Sequence, residues 1–324
     1  MDNKLNSGYK YIFGPVPSRR LGISLGVDLL PAKTCTLDCI YCECGRTGNL
    51  TLERKEYVPV EKVKSELKDF LSQGPRLDFV TFSGSGEPTL HKQIGDLIRF
   101  LKCGYPEYSV AVLTNGTLLF DPEVRMQVLD ADVVKVSLDA GSAENFNRIN
   151  RPHQALEIFK IIDGLVSFRK IYSNQLWIEV FIVKGLNDND IELKKIKDIL
   201  ELVRPDRIDL NTLDRPGTET WVEPVEESFL TDVARYLRNA RIVNKSDASG
   251  KISGKDFREF IISTVKRRPC TAEDVSRILN INENDAKKHL DNFYENGEIS
   301  KISMPRGIFY FLRSLFIWFP YLFQ

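Results

Sequence analysis

The chain has 324 residues with 45 basic and 45 acidic side chains, so its formal net charge is zero, and 42% of it is hydrophobic. That balance excludes a disordered or collagen-like chain, and neutrality argues against coating nucleic acid by bulk electrostatics. Six cysteines are too few to staple a chain this long, but four of them, Cys35, Cys39, Cys42 and Cys44, crowd into ten residues.

The N-terminus, MDNKLNSGYKY, lacks the apolar stretch and the cleavage site of a secretory signal. A cytoplasmic, reducing setting is expected, where clustered thiols act as ligands or redox groups. GISLGVDLL (22–30) predicts a first strand. Helical spacing over 59–73, 92–104 and 121–129 alternates with β-rich runs at 77–83, 108–114 and 132–138. Asp121 followed by Pro122 reads as an N-cap with proline at the first helical position. Helices are expected over 142–149 and 154–170, a strand at 176–183, a helix at 190–203, a strand at 207–212 and a helix near 226–240.

Six strands, each followed by helical sequence, predict an α/β fold with a parallel sheet. It is either doubly wound or a (β/α) barrel, complete or partial. Both architectures bind ligands at the carboxyl ends of the strands. The polar motifs fall at those ends: the cysteines, Gly84, Asn115, Asp139, Lys184 and Asn211.

The expected divisions are a barrel over 1–244, a polar linker over 245–255, a second domain over 256–313 and an apolar tail over 314–324. Three helices (256–268, 271–280, 282–297) and a hairpin around Pro305-Arg306-Gly307 describe a winged-helix module. Thr271 stands three residues before Asp274, a capping arrangement. The tail SLFIWFPYLFQ is too short to cross a bilayer, which takes about 20 residues, and no transmembrane segment is expected.

Cys35, Cys39 and Cys42 form C-x3-C-x2-C. Three thiolates on one loop can hold one face of a [4Fe–4S] cluster and leave one iron open. A zinc site competes, but it wants four ligands, commonly as two separated pairs. A redox pair of Cys39 and Cys42 would leave Cys35 idle. Coincident core cysteines are the remaining reading, and the density of thiols disfavours it.

The triplet, with Tyr41 before its last cysteine and a position after strand one, resembles the radical S-adenosylmethionine (radical SAM) superfamily over roughly residues 10–240. The resemblance implies a partial (β/α)6 barrel. It implies a [4Fe–4S] cluster on Cys35, Cys39 and Cys42 whose open iron binds S-adenosylmethionine, which one electron cleaves to methionine and a 5′-deoxyadenosyl radical. Ser83-Gly84-Ser85-Gly86-Glu87-Pro88 is similar to the superfamily's Gly-Gly-Glu-Pro element. Gly84, Gly86 and Glu87 are therefore expected at the methionine amine. Tyr41 is implied near the adenine, and Val183, in Ile182-Val183-Lys184-Gly185, is implied to contact it through its backbone. Asn115, Ser137 and Asp139 are candidates for ribose hydroxyls or the methionine carboxylate. Arg19, Arg20 and Arg215 suit an anionic substrate, because guanidinium grips carboxylate or phosphate bidentately.

GPVPSRRLG with the triplet and a later LDRPG resembles a group described as wyosine-synthase-like. Wyosine synthases carry a second cluster on cysteines upstream of the triplet, and no cysteine precedes Cys35 here. Only radical initiation is therefore implied. A reductase, flavodoxin or ferredoxin is expected as electron donor, and a tRNA or protein as macromolecular substrate. Residues 255–312 carry ten Lys/Arg against nine Asp/Glu, so nucleic acid and protein are equally compatible with the second module. The alternative is a DNA-binding iron–sulfur redox sensor that reads its operator with the winged helix. Such a sensor has no need of ligand loops at five strand ends.

Overall fold

The computed structural model describes residues 9–243, except 19, 32 and 239, and 261–312, except 263, 266, 267 and 280. Arg19, the expected linker and the apolar tail lie outside the described residues.

One eight-stranded sheet dominates: β1 (Ile12–Ser18), β2 (Gly22–Val27), β3 (Phe79–Phe82), β4 (Ser109–Thr114), β5 (Val133–Ser137), β6 (Gln175–Ile182), β7 (Arg207–Thr212) and β8 (Arg241–Ile242). The strands lie side by side in chain order. β1 and β2 pair antiparallel, and every later pair is parallel. The order never reverses, so right-handed crossovers put every helix on one face of the sheet. The other face is then left free of the crossover helices and curls around a lumen, as in a partial barrel; the doubly wound alternative needs a reversal of order.

The helices are α1 (Val60–Leu71), α2 (Ile94–Gly104), α3 (Pro122–Gln127), α4 (Ile158–Ile171), α5 (Asp190–Val203) and α6 (Glu227–Tyr236). Their apolar stripes meet the sheet in one core, where Val80, Val112, Val134 and Ile178 face Leu67, Leu97, Leu165 and Ile196. Alternate strand residues point inward instead. Asp121 caps α3 by accepting from Glu123 N at 2.8 Å, with Pro122 next in line.

Two expectations need correction. GPVPSRRLG does not precede the first strand: most of it forms β1 and its turn into β2. Pro15 and Pro17 disguise the strand, and they are tolerated because β1 is an edge. The helix expected over 142–149 is a three-residue turn, Ala143–Asn145, running into a π-type turn, Phe146–Asn150.

The C-terminal region has its own core around Val265, Cys270, Leu290 and Phe293. It contains α7 (Ala272–Leu279), α8 (Glu283–Glu295) and a hairpin of β9 (Ser300–Met304) and β10 (Gly307–Phe311). Residues 261, 262, 264 and 265 are helical ahead of α7. Thr271 and Asp274 cap each other: Thr271 N donates to Asp274 Oδ2 and Asp274 N to Thr271 Oγ1, both at 3.1 Å. No helix among the described residues is long and apolar enough to cross a membrane.

Candidate functional site

The cysteine loop leaves β2 and is latched over the carboxyl ends of the strands. Asp38 N and Ile40 N donate to the carbonyls of Asn150 and Ile149, both at 3.0 Å. On the other side Glu219 N donates to Ile40 O at 2.9 Å and Thr218 Oγ1 to Cys42 O at 3.3 Å. The LDRPG segment therefore braces the loop through the residues that follow it.

Each thiol of the triplet has a nitrogen donor aimed at it. Asn115 Nδ2 is 3.6 Å from Cys35 Sγ, Asn150 Nδ2 is 3.4 Å from Cys39 Sγ, and Lys33 Nζ is 3.5 Å from Cys42 Sγ. N–H donors to sulfur stabilise thiolates and tune iron–sulfur clusters. Without a metal, burial pushes Cys35 up to about 12 and Cys39 well above the usual thiol range. Cys42 is drawn down to about 6 by a hydrogen bond from Cys44 and, against burial, by Lys33. No three His, Cys, Asp or Glu side chains among the described residues converge tightly enough for a single metal ion. Three thiols on one loop, each with a nitrogen donor, are the kind of donor set an iron–sulfur cluster takes.

Gly84 to Pro88 packs directly against this loop. A Cβ on Gly86 would stand 1.8 Å from Thr34 O, and one on Gly84 would stand 2.3 Å from the Asp28 carboxyl carbon, with φ at +146°. Only glycine allows both approaches. Glu87 is buried. Its carboxylate accepts from Thr89 N, Thr89 Oγ1, Thr114 Oγ1 and Asn115 N at 2.6–3.1 Å. It fixes Asn115, whose amide then reaches Thr36 Oγ1 at 2.8 Å as well as Cys35.

Tyr41 stacks on Phe181, centroids 3.8 Å apart, and its hydroxyl donates to Asp139. Asp139 also accepts from Asn150 Nδ2 at 2.8 Å and Phe181 N at 3.1 Å, and burial raises its pKa to about 6. Tyr41, Asn115, Ser137 and Asp139 line one cavity of about 50 Å³ with Cys39. Val183 does not join them. Its N–H donates to Asn187 Oδ1 at 2.7 Å, within its own turn.

Arg20, in the turn from β1 into β2, reaches Glu179 in the lumen, its Nε 2.6 Å away. Arg215 is taken up elsewhere. It is 3% exposed and donates to Pro269 O at 2.6 Å and to Asp274 at 2.8 Å, with Glu43 at 3.7 Å. Arg306, at the hairpin tip, completes this clamp on Asp274 at 2.5 Å and Asp214 at 3.0 Å. Burial alone would lower the Arg215 pKa, yet Glu43 and Asp274 raise it.

The lumen holds a charge network that the motifs do not announce. Lys135 on β5 pairs with Glu179 on β6 and with Asp209 on β7, the latter at 3.5 Å. Glu179, although buried, is held down to about 2 by Arg20 and Lys135, while burial lowers Lys135 to about 8. One charged residue at an inward position of each of three neighbouring apolar strands is the sequence signal for it.

A family model described as the Radical SAM superfamily matches residues 29–196. A UPF0026 protein of Helicobacter pylori is 35% identical over 294 residues, covering 89% of this chain and 93% of that protein. A Brachyspira hyodysenteriae protein named GTPase Obg is 35% identical over 295 residues, 90% of this chain but only 43% of its own length. Among solved structures, a radical SAM methyltransferase from Sphaerobacter thermophilus is similar in fold, with a TM-score of 0.54 and 16% identity, covering 68% of this chain and 64% of that one.

Proposed function

The chain belongs to the radical SAM superfamily, and from that premise we propose that Cys35, Cys39 and Cys42 hold its cluster and that Cys44 does not. It is a radical SAM enzyme that uses a [4Fe–4S] cluster and S-adenosylmethionine. When bound, this pair supplies a 5′-deoxyadenosyl radical.

The single observation that carries the ligand reading is the set of three nitrogen donors, one on each of the three sulfurs. Cys44 instead donates its thiol to Cys42 and lies 3.7 Å from Gly84 O. Tyr41, Asn115, Ser137 and Asp139 are proposed to face the adenosyl half of the cofactor, because they gather beside Cys39 at the carboxyl ends of the strands; the recess of about 50 Å³ they share is one wall of that site. Gly84 and Gly86 let main chain come close to the cofactor's methionine half. Glu87 and Val183 act indirectly, by setting the Asn115 backbone and the β6 turn. Arg20 is proposed at the substrate.

A one-electron donor of flavodoxin or ferredoxin type fits the chemistry. A cytoplasmic setting fits thiolates that must stay reduced. We read residues 256–313 as a winged-helix module joined by 245–255. The RNA or protein substrate and the DNA-sensor alternative both rest on that module's free surfaces. Its hairpin is engaged with the barrel instead, through Arg306 and through Met304, which packs against the apolar cluster around Ile40, Phe181 and Leu213. This weakens both readings.

The test is iron content after anaerobic reconstitution. Cys35→Ala, Cys39→Ala and Cys42→Ala should each lose the four-iron cluster, and Cys44→Ala should keep it. Full iron in Cys39→Ala would contradict the ligand set.

A further inference from the structure

A cavity of about 250 Å³ opens between the lumen mouth and the C-terminal region. Its wall is composite: Arg20 after β1, Glu43 and Cys44 of the cysteine loop, Gly84 after β3, and Thr264 and Arg268 of the C-terminal region. We propose that this cavity, completed by Arg268, binds a small substrate bearing an oxyanion, a carboxylate or a phosphate.

Size is the first argument. Small-molecule sites run from about 300 Å³ upward, so 250 Å³ suits a compact molecule. Charge is the second. Two arginines line the cavity, and its lining carboxylate, Glu43, already faces Arg215 at 3.7 Å. Arg20 meets Glu179 through Nε, and a guanidinium carries two further nitrogens that can fork onto an oxyanion.

Position is the third argument. Arg268 does not hang on a free segment. Its N–H donates to Thr264 O at 3.2 Å. The next carbonyl, Pro269 O, accepts from Arg215 of the barrel at 2.6 Å. Cys270 and Tyr310 then exchange backbone hydrogen bonds at 2.8 and 3.0 Å. The clamp of Arg215, Asp274 and Arg306 thus serves to hold Arg268 over the lumen. Cys44 lines this cavity and Cys39 lines the smaller one, so the two sites meet at the cysteine loop. A molecule held by Arg20 and Arg268 would lie beside the cofactor.

The inference rests on the radical-enzyme reading for what becomes of the bound molecule, but binding itself is measured without turnover. The cluster-loaded full chain is titrated calorimetrically with inorganic phosphate and, separately, with malonate, at constant ionic strength. At least one should bind with one site per chain. Arg268→Gln should weaken that binding about tenfold, the loss of a charge-assisted hydrogen bond, and Arg20→Gln should do the same. Arg235→Gln, an exposed arginine on α6, should leave it unchanged. The proposal is overturned if neither anion binds, if either cavity variant that folds binds as tightly as the parent, or if only an RNA or a peptide binds.

Discussion

At the residue scale, the cysteine triplet and the glycine-rich turn were legible because their geometry is local. Three thiols within eight residues cannot lie far apart, and a Gly-x-Gly-Glu-Pro turn marks close backbone approach. The direction in which Glu87 and Val183 face was not legible. That depends on Thr114, brought in at the end of β4, and on Asn187, whose side chain folds back onto Val183 in the same turn. Asn150, the donor to Cys39, was missed for the same reason: it lies 111 residues away, in an irregular turn without a motif. The Gly86 contact gives a sharp prediction. Gly86→Ala would drive a Cβ into Thr34 O, one residue before Cys35, at a distance of 1.8 Å. Overpacking of this kind costs about 1–3 kcal/mol, and here the strain falls on the cysteine loop. Iron content and thermal melting should both fall in Gly86→Ala. An unchanged iron content would mean that the loop does not depend on this approach.

At the element scale, strands buried on both faces were readable from composition, and β1 was not, because its prolines argue against a strand until its edge position is known. The Thr271–Asp274 cap was readable as a local pattern. Its second duty was not, since Arg215 lies 59 residues from Asp274 and Arg306 another 32 beyond it. Burial alone would raise the Asp274 pKa, but Arg215 and Arg306 hold it far below the usual carboxylate range. A carboxyl depressed in the folded state contributes stability that is full above its unfolded pKa and is lost as pH falls through the folded value. Asp274→Asn should therefore destabilise the chain by about 3 kcal/mol near neutrality, because Arg215 is left buried without its partner. The gap from the parent protein should narrow only below about pH 4. Urea unfolding across pH checks this, and a gap that stayed constant down to pH 2 would contradict it.

At the scale of the whole molecule, chain-order strands make the helices cover one face and leave a lumen on the other. The unequal division was readable from the sequence, but not how the C-terminal region packs against the sheet's open side through Arg215, Asp274 and Arg306. Zero net charge suits a site whose charges are paired inward, as in the run from Arg20 through Glu179 and Lys135 to Asp209. The central claim is that these parts together start a radical from S-adenosylmethionine. The most direct test is to reconstitute the cluster anaerobically, add S-adenosylmethionine and dithionite, and quantify 5′-deoxyadenosine. The account predicts 5′-deoxyadenosine and methionine in equal amounts from the parent chain and none from Cys39→Ala. A parent chain carrying its full cluster and yielding no 5′-deoxyadenosine would contradict it.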